Sequence, residues 1–166
     1  MTTSASAQAA GQKIKPCLWF DNQAEEAVNL YCSIFKDSKV LSQARYGDAG
    51  PGPKGQIVTM TFQLAGQEFM ALNGGPAFKF TEAVSLVVKC DTQEELDEYW
   101  EKLLANGGSE SQCGWLKDKF GLSWQIIPTV LEQLMSGDPA RANRVMTALL
   151  KMVKLDIAKL KEAAAG

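Results

Sequence analysis

The sequence predicts an α+β fold in which one strand-helix-strand-strand-strand unit occurs twice and is followed by helices. Three observations carry this. Gly121 to Pro128, GLSWQIIP, echoes Gly66 to Asn73, GQEFMALN, with a glycine, an aromatic and an aliphatic residue at the same steps, so both read as strands entered through a glycine turn. Asn22-Gln-Ala-Glu-Glu-Ala matches Asp91-Thr-Gln-Glu-Glu-Leu, each a helix start. Beyond Pro128 the alternation of strands gives way to helical spacing.

The chain has 166 residues, 46% hydrophobic and 22% charged, enough for one well-buried core and too few for two ordinary domains. A net charge of −2 supplies no basic field for nucleic acid or an anionic membrane, and neither is expected as a partner. Cys17, Cys32, Cys90 and Cys113 contain no C-x-x-C pair and read as buried apolar residues in a reduced, cytoplasmic setting. Residues 1–12, rich in Ala, Ser, Thr and Gln, have neither a basic start nor an apolar run and read as a disordered tail. Residues 13–166 then form a single domain, with units at 13–73 and 81–128 and helices at 129–164.

In the first unit, the apolar run from Lys15 to Phe20 is a strand, and Asn22 with Glu25 is a capping box opening a helix. Ala24, Ala27, Val28, Tyr31, Ile34 and Phe35 form its apolar stripe, and Asp37-Ser38 ends it. Val40 to Tyr46 and Gln56 to Leu64 are strands, separated by the Gly/Pro-rich loop Gly47 to Gly55. Ala65-Gly66-Gln67 turns the chain into Phe69 to Leu72.

After a linker, Asn73 to Phe80, the second unit opens on the β-prone run Ala83 to Cys90. Thr92 and Glu95 form a second capping box. Leu96, Tyr99, Trp100, Leu103 and Leu104 form a second stripe, ended by Asn106-Gly107-Gly108. Ser109 to Cys113, Trp115 to Phe120 and Leu122 to Ile127 are three short strands. Thr129 and Glu132 begin a short helix, and Asp138-Pro139 caps a longer one. Ala142, Val145, Met146, Leu149, Val153, Ile157 and Leu160 give that helix a stripe too apolar to leave wet, worth on the order of 5 to 10 kcal/mol of burial.

The wording resembles a known family. Pro16-Cys-Leu-Trp-Phe-Asp, Ala24-Glu-Glu-Ala, Gly114-Trp115-Leu-Lys-Asp118, Phe120-Gly121, Ser123-Trp124-Gln125-Ile-Ile-Pro128 and the closing Met152 and Asp156-Ile157 are similar to the PhnB-like proteins, often labelled 3-demethylubiquinone-9 3-methyltransferase domain. These form a branch of the vicinal oxygen chelate superfamily, the glyoxalase, bleomycin-resistance and extradiol dioxygenase group. The resemblance implies that each unit curls into a half-barrel sheet around a ligand cavity. It also implies a twofold homodimer, which would cover the C-terminal stripe.

Metal-using members of that superfamily place His and Glu on the first and last strands of each unit. Aligning Glu25 with Glu94 sets Ser85 opposite Pro16, and aligning Gly66 with Gly121 sets Gln125 opposite Met70. The chain contains no histidine, and this quartet has no carboxylate, imidazole or thiolate, so no metal and no cofactor are expected. The methyltransferase label fares no better. A Rossmann-type cofactor site needs a glycine-rich turn entering a helix, and Pro51 and Pro53 spoil the one glycine-rich stretch.

Catalysis without a metal leaves Glu68, Asp118, Glu82 or a cysteine, none with an evident partner. Asp118, just before Gly121, reads as a turn former, and the cysteines as core. Binding is easier to support. Trp19, Phe62, Met70, Trp115 and Trp124 on curved strands, with the polar Ser85 and Gln125 among them, have the composition of a small-molecule pocket. Each aromatic can equally serve the core, and Ser85 and Gln125 either meet a ligand or satisfy an internal hydrogen bond. The sequence thus points to a metal-free protein that binds a small molecule. The alternative is an enzyme on a small organic substrate, isomerase-like or lyase-like, or the quinone methyl transfer of the family label.

Overall fold

A computed structural model describes residues 12–166. They fall into two compact units divided between Phe78 and Lys79, inside the expected linker. The first comprises β1 (Cys17–Phe20), α1 (Ala24–Ile34), β2 (Lys39–Arg45), β3 (Ile57–Leu64) and β4 (Gln67–Asn73). The second comprises β5 (Ser85–Cys90), α2 (Gln93–Leu104), β6 (Ser109–Glu110), β7 (Trp115–Lys117) and β8 (Ser123–Pro128), then α3 (Val130–Met135), α4 (Pro139–Leu149) and α5 (Ile157–Ala165). Each unit holds an open four-stranded mixed sheet, ordered β1-β4-β3-β2 in one and β5-β8-β7-β6 in the other. The first and last strands of each unit pair in parallel and the rest antiparallel. The written repeat is therefore a topological repeat, the α+β architecture of the glyoxalase and bleomycin-resistance fold.

Both cores follow the expected periodicities. In α1, Ala24, Ala27, Val28, Tyr31 and Ile34 are buried, as are Leu18, Phe20, Met60, Phe62, Phe69 and Ala71 on the strands beneath. In α2, Leu96, Trp100 and Leu103 are buried, together with Leu116, Trp124 and Ile126. At about 1.5–3 kcal/mol per large apolar side chain, these stripes are what hold each helix to its sheet.

The capping boxes divide. In the second, Thr92 Oγ1 accepts from Glu95 N at 3.2 Å as read, while Glu95 Oε2 reaches back to Asp91 N at 2.8 Å, one residue before the cap. The first does not form. Helix α1 starts after Gln23, which caps nothing, and Asn73 replaces Asn22 from across the sheet. Parallel pairing of Phe20 with Asn73 sets that side chain at the helix start, where Oδ1 accepts from Ala24 N at 2.9 Å and Nδ2 donates to Ile57 O at 3.1 Å.

Strands β5, β6 and β7 are shorter than the sequence suggests. β6 stops at Glu110, and by Cys113 and Gly114, both at positive φ, the backbone N–H groups donate to Met152 O and Val153 O instead of a strand. The same attachment breaks the expected long helix after Leu149. Gln93 completes it, donating to Leu155 O and accepting from Ile157 N, and Asp156 caps α5. Gly114 is required here, because a Cβ would meet Ile126 O at 2.9 Å and Leu155 at 3.1 Å. The C-terminal stripe is thus partly covered by its own unit: Val145, Leu155 and Leu160 are fully buried, while Met146, Leu150 and Val153 remain 40%, 58% and 40% exposed.

The tail expected over residues 1–12 lies outside the described residues except for Gln12, whose side chain hydrogen-bonds both the carbonyl and the N–H of Glu68. Among the described residues no helix is long and apolar enough to cross a membrane. The cap exchange gives a direct check by urea unfolding. Asn73→Ala is expected to lower stability by about 1–2 kcal/mol, and Asn22→Ala by less than about 0.5 kcal/mol. The opposite ranking would restore the sequence-based cap.

Candidate functional site

Strand alternation assigns each candidate residue to a face. In the first unit Leu18 and Phe20 point into the core, which turns Cys17 and Trp19 to the face away from α1, with Met70 beside Cys17 in register. In the second unit Trp124 and Ile126 point toward α2, which turns Ser123, Gln125 and Ile127 the other way, with Trp115 opposite Gln125. Ser85 lies on that same face. Phe62 and Trp124 do not join these open faces: Phe62 is fully buried and stacks on Phe69 with ring centroids 5.6 Å apart, and Trp124 is 2% exposed.

Trp19 is committed within its own unit. Its indole N–H donates to Gly75 O at 2.8 Å, and Phe78 meets its ring edge-on at 4.9 Å. Gly74 packs so closely on the ring that no side chain fits there. The segment after β4 therefore folds over the open side of β1.

The repeat-derived quartet resolves into two local pairs. Met70 N donates to Pro16 O at 2.9 Å, and Gln125 Nε2 donates to Ser85 Oγ at 2.8 Å. Ser85 and Gln125 thus satisfy each other through an internal hydrogen bond, one of the two outcomes left open by the sequence. The residues at the repeat-derived positions do not fit a divalent cation of the superfamily type: Pro16 has no donor side chain, and Met70, Ser85 and Gln125 offer a thioether, a hydroxyl and an amide. No three His, Cys, Asp or Glu residues converge among the described residues.

Asp118 proves to be a turn organiser. It is 3% exposed, and its Oδ1 accepts from Phe120 N at 2.9 Å and Leu122 N at 3.0 Å while Oδ2 accepts from the Trp124 indole at 2.9 Å. Gly121, at φ 85°, closes the loop by donating to Asp118 O. This explains the spacing of Asp118, Phe120, Gly121, Ser123 and Trp124: a carboxylate, a residue free to take positive φ, and an indole that locks the carboxylate from below.

The other candidate acids, Glu68 and Glu82, lie in more exposed ion pairs. Lys15 pairs with Glu68 and Lys117 with Glu82, whose carboxyl the lysine holds below its ordinary range by hydrogen bonding. Burial, reinforced by Glu95 and Asp91, pushes the Cys90 thiol up to about 12, and partial desolvation also raises Cys17 and Cys32; only Cys90 is the core residue the sequence suggests, since Cys17 is exposed and Cys32 and Cys113 are half-buried. No reactive thiolate is favoured at those three positions.

What sequence reasoning missed lies beside Trp115. A pocket of about 190 Å³ is lined by Glu82, Ser109, Glu110, Trp115, Lys117 and Ser123 among others. The signal was available in the hairpin: a tight turn at Asp118 to Leu122 sets Lys117 opposite Ser123.

The family of 3-demethylubiquinone-9 3-methyltransferase, taken as a sequence profile, matches residues 12–127. The chain belongs to this PhnB-like family. The match ends at residue 127, before α3, α4 and α5. No curated protein matches the chain. Among solved structures, a putative 3-demethylubiquinone-9 3-methyltransferase, PhnB protein, from Bacillus cereus is 41% identical over 71% of this chain and 100% of its own, with a TM-score of 0.66. Protein PA1353 from Pseudomonas aeruginosa is 21% identical over 70% of this chain and 97% of its own, at a TM-score of 0.58. A mutant of the fosfomycin resistance protein FosX from Listeria monocytogenes, solved with Mn(II) and a dihydroxypropylphosphonic acid, is 15% identical over 74% of this chain and 96% of its own, at 0.53. The last two establish likeness of fold alone.

Asp118, though the one buried carboxylate among the described residues, is expected to behave as structure. Asp118→Ala strands the buried Leu122 N–H and Trp124 indole and should lower stability by about 3 kcal/mol in urea unfolding. Asp118→Asn, which keeps one acceptor, should cost less. An Ala variant within about 1 kcal/mol of wild type would remove the turn from the account.

Proposed function

We propose that this PhnB-like protein binds a small organic molecule on the sheet faces turned away from its helices, and does so without a resident metal or adenosyl cofactor. The observation that carries the reading is the Gln125 to Ser85 hydrogen bond. It joins the two second-unit positions that would carry metal ligands in the metal-using superfamily pattern, and neither side chain is a ligand for Zn²⁺, Fe²⁺ or Ni²⁺. Next to that pair lies the pocket at Trp115, an aromatic wall with several polar groups, as small-molecule sites usually have.

Catalysis has less support. Asp118 is consumed by its turn, Glu82 and Glu68 are paired with lysines, and Cys90 is held as a thiol. Methyl transfer in particular lacks its usual cradle, because the glycine-rich Gly47 to Gly55 segment joins the antiparallel strands β2 and β3 rather than a strand to a helix. The reading includes a twofold homodimer in a reducing, cytoplasmic setting, with the exposed Met146, Leu150 and Val153 at or beside the contact.

Thermal shift assays separate these possibilities. Chelation, or addition of Mn²⁺, Ni²⁺ or Zn²⁺, is expected to leave Tm unchanged, and so is S-adenosylmethionine. A true cofactor at ~100 times its Kd would add roughly 2.7 kcal/mol and move Tm by several degrees. One tightly held metal per chain, or a shift with S-adenosylmethionine, would overturn the reading. For the pairing, sedimentation at micromolar concentration should give a dimer that Met146→Lys with Leu150→Lys converts to folded monomer. Identical behaviour of the double variant and wild type would move the contact elsewhere.

A further inference from the structure

The open face of the second sheet carries a polar row. Register sets Ser85 beside Ser123, Ser123 opposite Lys117, and Lys117 opposite Ser109, so these four side chains cross all four strands in line. Ser109, Lys117 and Ser123 of this row line the pocket of about 190 Å³ at Trp115.

Ser123 is the anomaly in this row. It is 1% exposed, and its Oγ has no hydrogen-bond partner, although a buried hydroxyl left unpaired costs about 1–3 kcal/mol. A hydroxyl kept at such a position against a pocket wall is suited to a partner that arrives with a ligand. Its neighbours are donors as well. Lys117 supplies an ammonium, and Ser85, whose Oγ already accepts from Gln125, retains its proton to give.

The charged groups facing the pocket are Lys117, Glu82 and Glu110. Glu110 Oε1 accepts from the Trp100 indole at 3.1 Å, which engages that carboxylate on the α2 side. Glu82 sits on the segment before β5, with its side chain 62% exposed, and its carboxylate rests on the Lys117 ammonium. An ion pair this exposed is worth little and is easily exchanged. Glu82 therefore acts as an internal stand-in for a carboxylate at Lys117.

We propose that this pocket takes the carboxylate of a small organic acid. Lys117 and Ser123 are its donors, Trp115 is the apolar wall for the remainder of the molecule, and Glu82 is displaced from Lys117 as the acid enters. This rests on the small-molecule reading above and adds the chemical class of the ligand.

Benzoate and its neutral analogue benzamide test it on the full chain by amide and indole NMR. Benzoate should shift the Trp115 indole and Lys117 amide resonances saturably, and benzamide should bind at least about tenfold more weakly, the value of one charge-assisted hydrogen bond. Lys117→Met should weaken benzoate by a similar factor, and Glu82→Gln should tighten it. Ser123→Ala should weaken benzoate by about threefold or more while leaving Tm unchanged or raised, since it removes an unsatisfied buried hydroxyl. That combination separates a ligand donor from a structural serine. The proposal is overturned if benzoate gives no saturable shift, if benzamide binds equally well, if Lys117→Met and Ser123→Ala bind as wild type, or if Ser123→Ala loses stability. A neutral molecule found at Trp115 in place of an acid would overturn the acid assignment and leave the small-molecule reading intact.

Discussion

The buried carboxylate of Asp118 fixes the face assignment on which the second unit depends. By gathering the N–H groups of Phe120 and Leu122 and the Trp124 indole, it sets the length of the turn between β7 and β8. Turn length sets register, and a slip of one residue would exchange the two faces of β8. With the turn in place, Trp124 and Ile126 enter the core while Ser123 and Gln125 face outward, beside Lys117 and Trp115. The turn former read in the sequence thus decides which side chains the open face presents.

The two units share one topology and differ in what their open faces offer. In the first, the Lys15 to Glu68 ion pair, the thiol of Cys17, the thioether of Met70 and the hydroxyls of Thr59 and Thr61 share the face, and Trp19 is covered by Gly74, Gly75 and Phe78. The second presents a line of hydroxyls with one ammonium. The segment beyond the family's matched region is fastened to this second unit, where Met152 and Val153 accept from Cys113 and Gly114 and Gln93 grips the start of α5. The extension is thus built into the unit that carries the more polar face.

Much of the fold was legible because it rests on local chemistry. The helical stripes, the Thr92 to Glu95 box, the Asp138 cap and the glycine turns are all interactions between near neighbours in sequence. The misreadings share the opposite property. Asn73 caps a helix 49 residues away, and Met152 and Val153 end a strand and a helix at once by pairing with Cys113 and Gly114. No window of sequence contains both partners of such contacts. The site was half legible for the same reason. Ser85 and Gln125 were found through the repeat, but Phe62 and Trp124 carry the same aromatic signal as Trp19 and Trp115, and only the register separates core from open face.

The central claim is that the open faces of this repeated sheet hold a small organic molecule and no metal. Native mass spectrometry of the protein as purified, followed by denaturing mass measurement, addresses it most directly. The account predicts a mass excess from an organic compound that is lost on denaturation, with no metal adduct at stoichiometric level. An excess equal to one divalent cation per chain, retained until the fold is broken, would contradict it.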